Sequence, residues 1–160
     1  MYSEVGAYES SIPHNRYVME SAYAQENAQL RAIRGLAVAY EKTDQLDLAI
    51  DLYEALIEKL PDRPLYYYRL GELMNDVGRY NEAIARVKEG KQRDTECGAH
   101  AHCVMGSAYE KLGQYDRAKR EFKKALNCND GNFNDYAAKQ IDRQEQLKKI
   151  EDLKEQKEKY

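Results

Sequence analysis

The densest group of possible metal ligands in the sequence is the segment CGAHAHC, which holds Cys97, His100, His102 and Cys103. Zinc accepts thiolate and imidazole ligands of this kind. On a helix that begins near Ala99, however, His100 and Cys103 share one face while His102 points inward. The spacing also matches no standard zinc pattern. We therefore predict no metal site and no cofactor, with His102 packed in the core and the cysteines acting as small apolar residues.

Other side chains that could carry chemistry are arranged as on a solvated surface. The basic run from Arg117 to Lys124 is interrupted by Glu121, and it is more typical of a solvated helix face than of a nucleic-acid patch. The acid pair Glu151 and Asp152 lies in a highly charged stretch that offers no catalytic partner. The sequence contains no glycine-rich phosphate loop, nucleophile elbow or HExxH motif. We therefore predict that the chain is not an enzyme.

Composition and charge narrow the remaining function classes. The 160 residues carry a formal net charge of −3, so we expect no general attraction for nucleic acid or an anionic membrane. No apolar run approaches the roughly 20 residues that span a bilayer. The segment from Met1 to Arg16 lacks the basic start and apolar stretch of a secretory signal. Three cysteines, an odd number, then favour a reduced, cytoplasmic protein without a disulfide framework.

Three segments that align without gaps supply the elements on which these side chains lie. They begin at Leu30, Pro64 and Ala99, which are 64 − 30 = 34 and 99 − 64 = 35 residues apart. Each segment has a small residue followed by an alanine twelve positions later: Ala37 and Ala49, Gly71 and Ala83, Gly106 and Ala118. Small residues at paired positions let two antiparallel helices cross closely. The pattern therefore predicts three helical hairpins.

Turn residues and large apolar residues complete each hairpin. Gly78 and Gly113 suit the left-handed residue that ends a helix, and Asp47, Asn81 and Asp116 suit the cap of the next helix. Large apolar residues recur at spacings of three and four, which marks one face of a helix. Because a lone hairpin cannot bury such a face, we expect the three hairpins to stack on each other.

This pattern resembles the tetratricopeptide repeat family, in which an aromatic residue, Leu-Gly, Tyr, Gly-x-Tyr, and then a separate Ala, aromatic residue and Ala recur in order. The third repeat, MGSAYEKLGQYDRAKREFKKAL, is close to that pattern. The second departs from it at Val87 and Gly90, and the first has Ala37 and Asp44 where glycines are usual. The resemblance implies an all-α fold, a right-handed superhelix of α-hairpins with a C-terminal capping helix.

We expect helices on both flanks of the three repeats. Residues 1–13 are expected to be extended or disordered. Residues 14–29 should form a helix that either runs into the first repeat or breaks before it. The three repeats are residues 30–63, 64–98 and 99–132. Residues 133–160 should form the capping helix, about 40 Å long at 1.5 Å per residue, whose second half is either a solvated projection or a contact with a second copy.

In the family that the pattern resembles, the first helix of each repeat lines a concave groove that binds a partner. The positions carried over are Arg31, Arg34, Val38, Glu41, Leu65, Tyr68, Arg69, Glu72, Asn75, His100, Cys103, Val104, Ser107 and Glu110. The resemblance implies that three arginines and one histidine face this groove and that Tyr68 adds a flat apolar contact. Since guanidinium groups suit carboxylates, one hypothesis is a groove for an acidic or extended peptide. The alternative is that these arginines pair with glutamates of their own surface.

The function implied by the resemblance is that of a protein-interaction module or adaptor. A self-assembling structural unit and a small chaperone for a client or secreted protein are the alternatives. One subgroup of the family grips the C-terminal carboxylate of chaperone tails through Lys and Asn at fixed positions. This sequence has Val38 and Val104 at two of those positions, which argues against that activity.

Overall fold

The computed structural model describes residues 4–128 and 130–158. Across these residues it consists of α-helices, without a β-strand. The helices are α1 Glu4–Glu20, α2 Glu26–Lys42, α3 Leu46–Lys59, α4 Pro64–Asp76, α5 Tyr80–Lys91, α6 Ala99–Lys111, α7 Tyr115–Asn127 and α8 Gly131–Glu158. Three hairpins, α2–α3, α4–α5 and α6–α7, stack in chain order, and α1 and α8 pack against the two ends. This arrangement confirms the predicted all-α superhelix. No described helix combines the length and the apolar character that a bilayer span requires.

The small residues of each hairpin lie where its two helices cross. A Cβ atom on Gly71 would lie 2.3 Å from Cγ2 of Val87, and one on Gly106 would lie 2.7 Å from Cε1 of Phe122. Such distances are far below van der Waals contact, so only glycine fits without displacing the facing helix. Gly90 plays the same part on α5, where an added Cβ would lie 2.5 Å from Cβ of Tyr67. The departure from the repeat pattern at Gly90 therefore leaves room for a tyrosine.

The turns inside the hairpins have the predicted left-handed residue but not the predicted caps. Asp44, Gly78 and Gly113 have φ values of 59°, 81° and 70°, which confirms the two glycines and shows an aspartate in the same conformation. The residues that precede the second helices are Gln45, Arg79 and Gln114, and none of them forms a side-chain cap hydrogen bond. The expected caps Asp47, Asn81 and Asp116 are instead the second residues of these helices, within the first turn. Two of them are acidic, and negative charge there complements the helix dipole.

The N-terminal segment differs from the prediction. Residues 4–13, expected to be extended or disordered, belong to α1, which continues through Pro13 to Glu20. Residues 21–25 then separate α1 from α2. Tertiary packing explains the difference, because Ile12 and Met19 pack against the hydrophobic core. The Arg16 guanidinium also donates a hydrogen bond to the Tyr40 hydroxyl at 2.6 Å. Residues 1–3 lie outside the described residues.

The C-terminal helix α8 packs on α7 and α6 through its first half. Ala137 is fully buried, and the buried Gln144 donates a hydrogen bond to Glu110. Further along, Ile150 and Leu153 are 50% and 57% exposed. Residues 149–154 of the 28-residue helix are exposed in the single chain, and residues 159–160 lie outside the described part.

A disulfide joins Cys97, in the loop before α6, to Cys128, at the end of α7, with a Cα–Cα distance of 5.4 Å. The prediction of reduced cysteines without a disulfide was therefore wrong. The odd count misled, because Cys103 is buried on α6 and the other two form an even pair. An antiparallel hairpin returns the end of α7 to the start of α6, which brings together two cysteines 31 residues apart.

His102, which was expected to pack in the core, is only partly buried. Its Nδ1 lies 2.8 Å from Oε2 of Glu121 on α7.

Candidate functional site

One face of the stack holds a cavity of about 570 Å³ between α4, α6 and α8, which we call the groove cavity. It is lined by Glu41, Arg69, Glu72, Leu73, Asn75, Asp76, His100, Cys103, Val104, Ser107, Asn132, Phe133 and Tyr136. Because α4 and α6 are the first helices of their repeats, the side chains that point away from their partner helices form the floor. The helix α8 closes one side and makes the cavity deeper than two repeats alone would.

The groove cavity gathers some of the side chains that the sequence assigned to a groove and leaves others elsewhere. The predicted residues that line it are Glu41, Arg69, Glu72, Asn75, His100, Cys103, Val104 and Ser107. Arg31, Arg34 and Val38 line a different cavity, and Leu65 and Tyr68 line a third. Glu110 forms an ion pair with Arg143 at 3.1 Å. Of the three arginines expected to face one groove, only Arg69 lies in this one.

His100 connects the three helices around the cavity. Its Nε2 lies 2.7 Å from Oε1 of Glu72 on α4. Its ring stacks on Phe133 of α8, with centroids 5.1 Å apart, and meets the ring edge of Tyr68 at 5.5 Å. Burial would raise the pKa of Glu72, but the hydrogen bond and charge of His100, aided by Arg69, outweigh it and hold that pKa below its usual value. Glu72 is therefore ionised at neutral pH.

The charges around the cavity are predominantly negative. Among the described residues, Arg69 supplies the one guanidinium group that lines the cavity, and its Nη1 lies 3.0 Å from Oε2 of Glu72. Two further carboxylates, Glu41 and Asp76, line the cavity. Burial, followed by repulsion from Glu72, raises the pKa of Asp76. Three carboxylates thus face one guanidinium, and that guanidinium is already paired.

Aromatic and hydroxyl groups from α8 form a wall that the sequence analysis did not assign to the groove. The Tyr136 hydroxyl lies 3.0 Å from Oγ of Ser107, and the Tyr136 side chain is 42% exposed. Phe133 presents its ring to the cavity beside His100. On the floor, Asn75 donates through Nδ2 to the carbonyl of Val104 at 3.1 Å, and its buried Oδ1 accepts no hydrogen bond from the described residues. In the sequence, the two aromatic residues of the segment NFNDY, Phe133 and Tyr136, were the signal that could have indicated this wall.

Tyr68 is not the flat groove contact that was expected. It is 4% exposed, and its hydroxyl donates to Oδ2 of Asp94 at 2.6 Å. Burial, together with that hydrogen bond, raises the pKa of Tyr68 well above its usual value. With the exposed Leu65 it lines a cavity of about 440 Å³ beside Cys97 and Cys128. Its contribution is therefore mainly to packing between α4 and the loop before α6.

A cavity of about 680 Å³ lies between α1 and α2. It is lined by Ala7, Tyr8, Ser11 and Asn15 of α1 and by Arg31, Arg34, Gly35 and Val38 of α2. Arg31 and Arg34 are exposed. We call this cavity and its two arginines the arginine surface.

Comparison with known protein families and curated proteins gives a consistent likeness. Family models described as tetratricopeptide repeat match residues 30–73 and residues 99–132. The human protein described as tetratricopeptide repeat protein 13 is 26% identical over 129 residues, which cover 78% of this chain and 14% of the relative. The chain thus spans about a seventh of the length of that curated relative.

The solved structures with a similar fold include three that are described as TPR domains. The TPR domain of Arabidopsis OM64 has a TM-score of 0.65 at 20% identity, covering 72% of this chain and 93% of that one. The Sgt2 TPR domain from Aspergillus fumigatus has a TM-score of 0.68 at 18% identity, covering 79% and 82%. The first TPR of Spaghetti (RPAP3), bound to the HSP90 peptide SRMEEVD, has a TM-score of 0.66 at 17% identity, covering 79% and 97%. At these identities the likeness shows the fold alone.

Proposed function

Because the chain belongs to the tetratricopeptide repeat family, we propose that it is a protein-interaction module whose groove cavity binds an extended segment of a partner protein. The observation that carries this proposal is the open cavity of about 570 Å³ between α4, α6 and α8. Its size suits one or two side chains of an extended peptide, and its lining mixes aromatic, hydroxyl and carboxylate groups. This lining supports a binding role.

We further propose that the side chain held in the cavity is a lysine or an arginine. The carboxylate of Glu41 has one long ion pair, 3.7 Å from Nζ of its neighbour Lys42, and Asp76 has no ion pair with a described residue, whereas Glu72 already holds Arg69 and His100. An added cation would therefore meet carboxylate oxygens that are still available. An added carboxylate would meet like charge. The acidic peptide suggested by the sequence is disfavoured at the groove cavity, because Arg31 and Arg34 do not line this cavity beside Arg69.

The aromatic wall supports the same choice of ligand. Phe133 lines the cavity with its ring, and a cation over such a ring is attracted by the negative face of the π system. The hydroxyls of Tyr136 and Ser107 can each accept a hydrogen bond from an ammonium or guanidinium group. The domain described as bound to the peptide SRMEEVD accommodates an acidic segment, so the proposal predicts a different preference for this chain.

A pair of labelled peptides, hexa-arginine and hexaglutamate, tests this preference by fluorescence anisotropy. We expect hexa-arginine to bind and the double variant Glu41→Gln/Asp76→Asn to weaken that binding about tenfold. The matched control is Asp51→Asn/Glu58→Gln, which removes the same charge from exposed positions on α3. Equal weakening in both variants, or no binding of hexa-arginine at moderate salt, would contradict the proposal.

Self-association through α8 is the second candidate, and the exposure of Ile150 and Leu153 favours it. Two large apolar side chains one turn apart can pack against the same face of a second copy. Light scattering at several protein concentrations separates the two candidates. A monomer at all concentrations would rule out assembly and leave the groove proposal standing.

The disulfide bears on the compartment in which the module acts. Disulfides persist in oxidising compartments and are rare in the cytosol, so the pair Cys97–Cys128 favours an oxidising compartment over the cytoplasm expected from the sequence. Labelling of free thiols in protein from its native source tests this: one reactive thiol after denaturation supports it, and three would contradict it.

A further inference from the structure

The arginine surface carries two positive charges that form no ion pair with the other described residues. Arg31 and Arg34 are exposed and one turn apart on α2, and neither has an ion pair or hydrogen bond with a described side chain. Most described arginines do have such partners: Arg16, Arg69, Arg79, Arg86, Arg93, Arg117 and Arg143. Two adjacent guanidinium groups without carboxylates repel each other, which favours an anion between them.

The helix α1 converts this pair into a concave surface. A Cβ atom on Gly35 would lie 3.0 Å from Nδ2 of Asn15, so glycine at this position lets α1 approach α2 closely. The approach places the Asn15 amide and the Ser11 hydroxyl in the lining of the cavity beside the arginines. Both groups can donate hydrogen bonds to an oxygen anion. No carboxylate is found in the described lining of this cavity.

The arginine surface and the groove cavity lie along one stripe of α2. Arg31, Arg34, Val38 and Glu41 are separated by three, four and three residues, which places them on one face of the helix. The first three line the arginine surface, and Glu41 lines the groove cavity. From position 31 to position 41 the helix rises about 15 Å at 1.5 Å per residue. An extended peptide covers that distance in four or five residues, at about 3.4 Å each.

We infer that the arginine surface is a second subsite, which binds the acidic part of the segment whose basic side chain enters the groove cavity. The partner segment therefore carries acidic and basic residues about four or five positions apart. This inference rests on the proposed function for the basic end only. The acidic end is assigned from charge complementarity at Arg31 and Arg34.

Electrostatics favours such a segment over a polyanion. The chain has a net charge of −3, and the carboxylates of the groove cavity begin within about 15 Å of the arginines. A nucleic acid or an anionic membrane would bring continuous negative charge up to both regions, and the groove carboxylates would repel it. A short acidic stretch followed by a basic residue meets opposite charge at each end.

The first arm of the test uses hexaglutamate and the double variant Arg31→Gln/Arg34→Gln. The intact chain should bind labelled hexaglutamate weakly, and the variant should lose about tenfold in affinity. The control Arg117→Gln/Arg120→Gln removes the same charge from exposed positions of the same spacing on α7 and should change the affinity less than twofold. Retained hexaglutamate binding in the first variant, or equal loss in the control, would overturn the subsite.

The second arm tests the spacing with peptides of equal composition. One has two glutamates and two arginines separated by about four glycines, and the other has the four charged residues adjacent. The spaced peptide should bind about tenfold more tightly, and Arg31→Gln/Arg34→Gln should abolish that difference. Equal binding of the two peptides would overturn the link between the subsites. Tighter binding of a short oligouridylate through the same arginines would overturn the peptide assignment.

The two proposals fail in different ways. The groove variant Glu41→Gln/Asp76→Asn should bind hexaglutamate at least as well as the intact chain, because it removes negative charge near the arginines. Hexaglutamate binding that depends on Arg31 and Arg34, with no binding of hexa-arginine, would refute the groove proposal and support the arginine subsite. The converse result would refute the subsite and leave the groove proposal intact. Unchanged helical circular dichroism confirms that each variant is folded.

Discussion

The two ends of the solenoid differ in whether their charged side chains have partners within the chain. At the C-terminal end, α8 is held to the third repeat by ion pairs, including Lys119–Glu145 at 2.5 Å and Lys148–Asp116 at 2.6 Å. At the N-terminal end, the described side chains offer Arg31 and Arg34 no such partner. Both ends pack a flanking helix against the stack, yet among the described residues ion pairs connect only the C-terminal one to it.

This difference separates side chains that build the fold from side chains available to a ligand. Paired charges at the C-terminal end contribute to docking of α8 and are already in use. Unpaired charges at the N-terminal end contribute little to folding, because an exposed cation without a partner is solvated. A similar contrast holds inside the groove cavity, where Glu72 is paired with Arg69 and His100, Glu41 has only a 3.7 Å contact with Lys42, and Asp76 has no ion pair with a described residue. We therefore expect changes at the two ends to separate stability from binding.

The largest effect on stability should come from the core of the third repeat. Phe122 is fully buried beneath Gly106, and its ring meets Tyr136 of α8 at 6.0 Å. We expect Phe122→Ala to lower the free energy of unfolding by about 3–5 kcal/mol, through lost burial and the cavity left behind. Tyr17→Ala, at a side chain of α1 that is 74% exposed, should change it by less than about 0.5 kcal/mol. Urea unfolding measures both changes in the free energy of unfolding, and similar losses in the two variants would contradict the proposed difference between the two ends.

Removal of the disulfide should have the next largest effect, and it should be confined to one end. A cross-link closing a loop of 31 residues stabilises by about 2–4 kcal/mol, mainly by restricting the unfolded chain. The double variant Cys97→Ser/Cys128→Ser should lose that amount, and a reductant should lower the stability of the intact chain but not of the variant. Hydrogen exchange should increase in α6 and α7 more than in α2. A uniform increase would contradict the contrast between the ends.

The acid sensitivity of the third repeat provides a smaller effect. Burial would raise the pKa of Glu121, but hydrogen bonds from His102 and Lys124 outweigh it and hold that pKa below its usual value. A depressed carboxyl pKa contributes stability above the unfolded pKa of about 4, and that contribution is lost as the pH falls through the folded pKa.

The variant Glu121→Gln should therefore cost about 1–2 kcal/mol at pH 7 and much less near pH 3. Urea unfolding at the two pH values measures the difference. Glu58→Gln, at an exposed position of α3, is the control and should show no comparable change with pH. An equal cost of Glu121→Gln at both pH values would show that its charge does not stabilise the fold.

The smallest effect on stability should come from the arginine surface. Arg31→Gln/Arg34→Gln should change the free energy of unfolding by less than about 0.5 kcal/mol, because neither side chain has an internal partner. A slight gain is the expected sign, since the change removes repulsion between two like charges one turn apart. Urea unfolding at low salt measures it. A loss above about 1 kcal/mol would mean that these arginines help to build the fold.

The repeats could be predicted from sequence because their signals are local. A glycine or alanine twelve residues before an alanine requires only that two consecutive helices cross closely, and Gly71 and Gly106 occupy those crossings. The left-handed turns at Gly78 and Gly113 are equally local. Such features depend on neighbours within one hairpin, and a single sequence contains them all.

The site could be predicted only in part, because it depends on how the flanking helices dock. Phe133 and Tyr136 line the groove cavity because α8 packs on α7 and α6, a contact that no local pattern encodes. The expected convergence of arginines failed for the same reason, since Arg31 and Arg34 line a cavity that α1 forms with α2, whereas Arg69 lines the groove cavity. The disulfide was missed because the parity of a cysteine count says nothing about which thiols a fold brings together.

The cystine between the loop before α6 and the end of α7 also determines how this chain would respond to mechanical load. If the two ends of the chain are pulled apart, force passes from Cys97 to Cys128 through the sulfur–sulfur bond. The 31-residue span between them bears no tension, and about 110 Å of contour length stays hidden until the bond is reduced. The helix α6, which supplies half the floor of the groove cavity, is thus mechanically shielded, while the helices outside the cross-linked span bear the load.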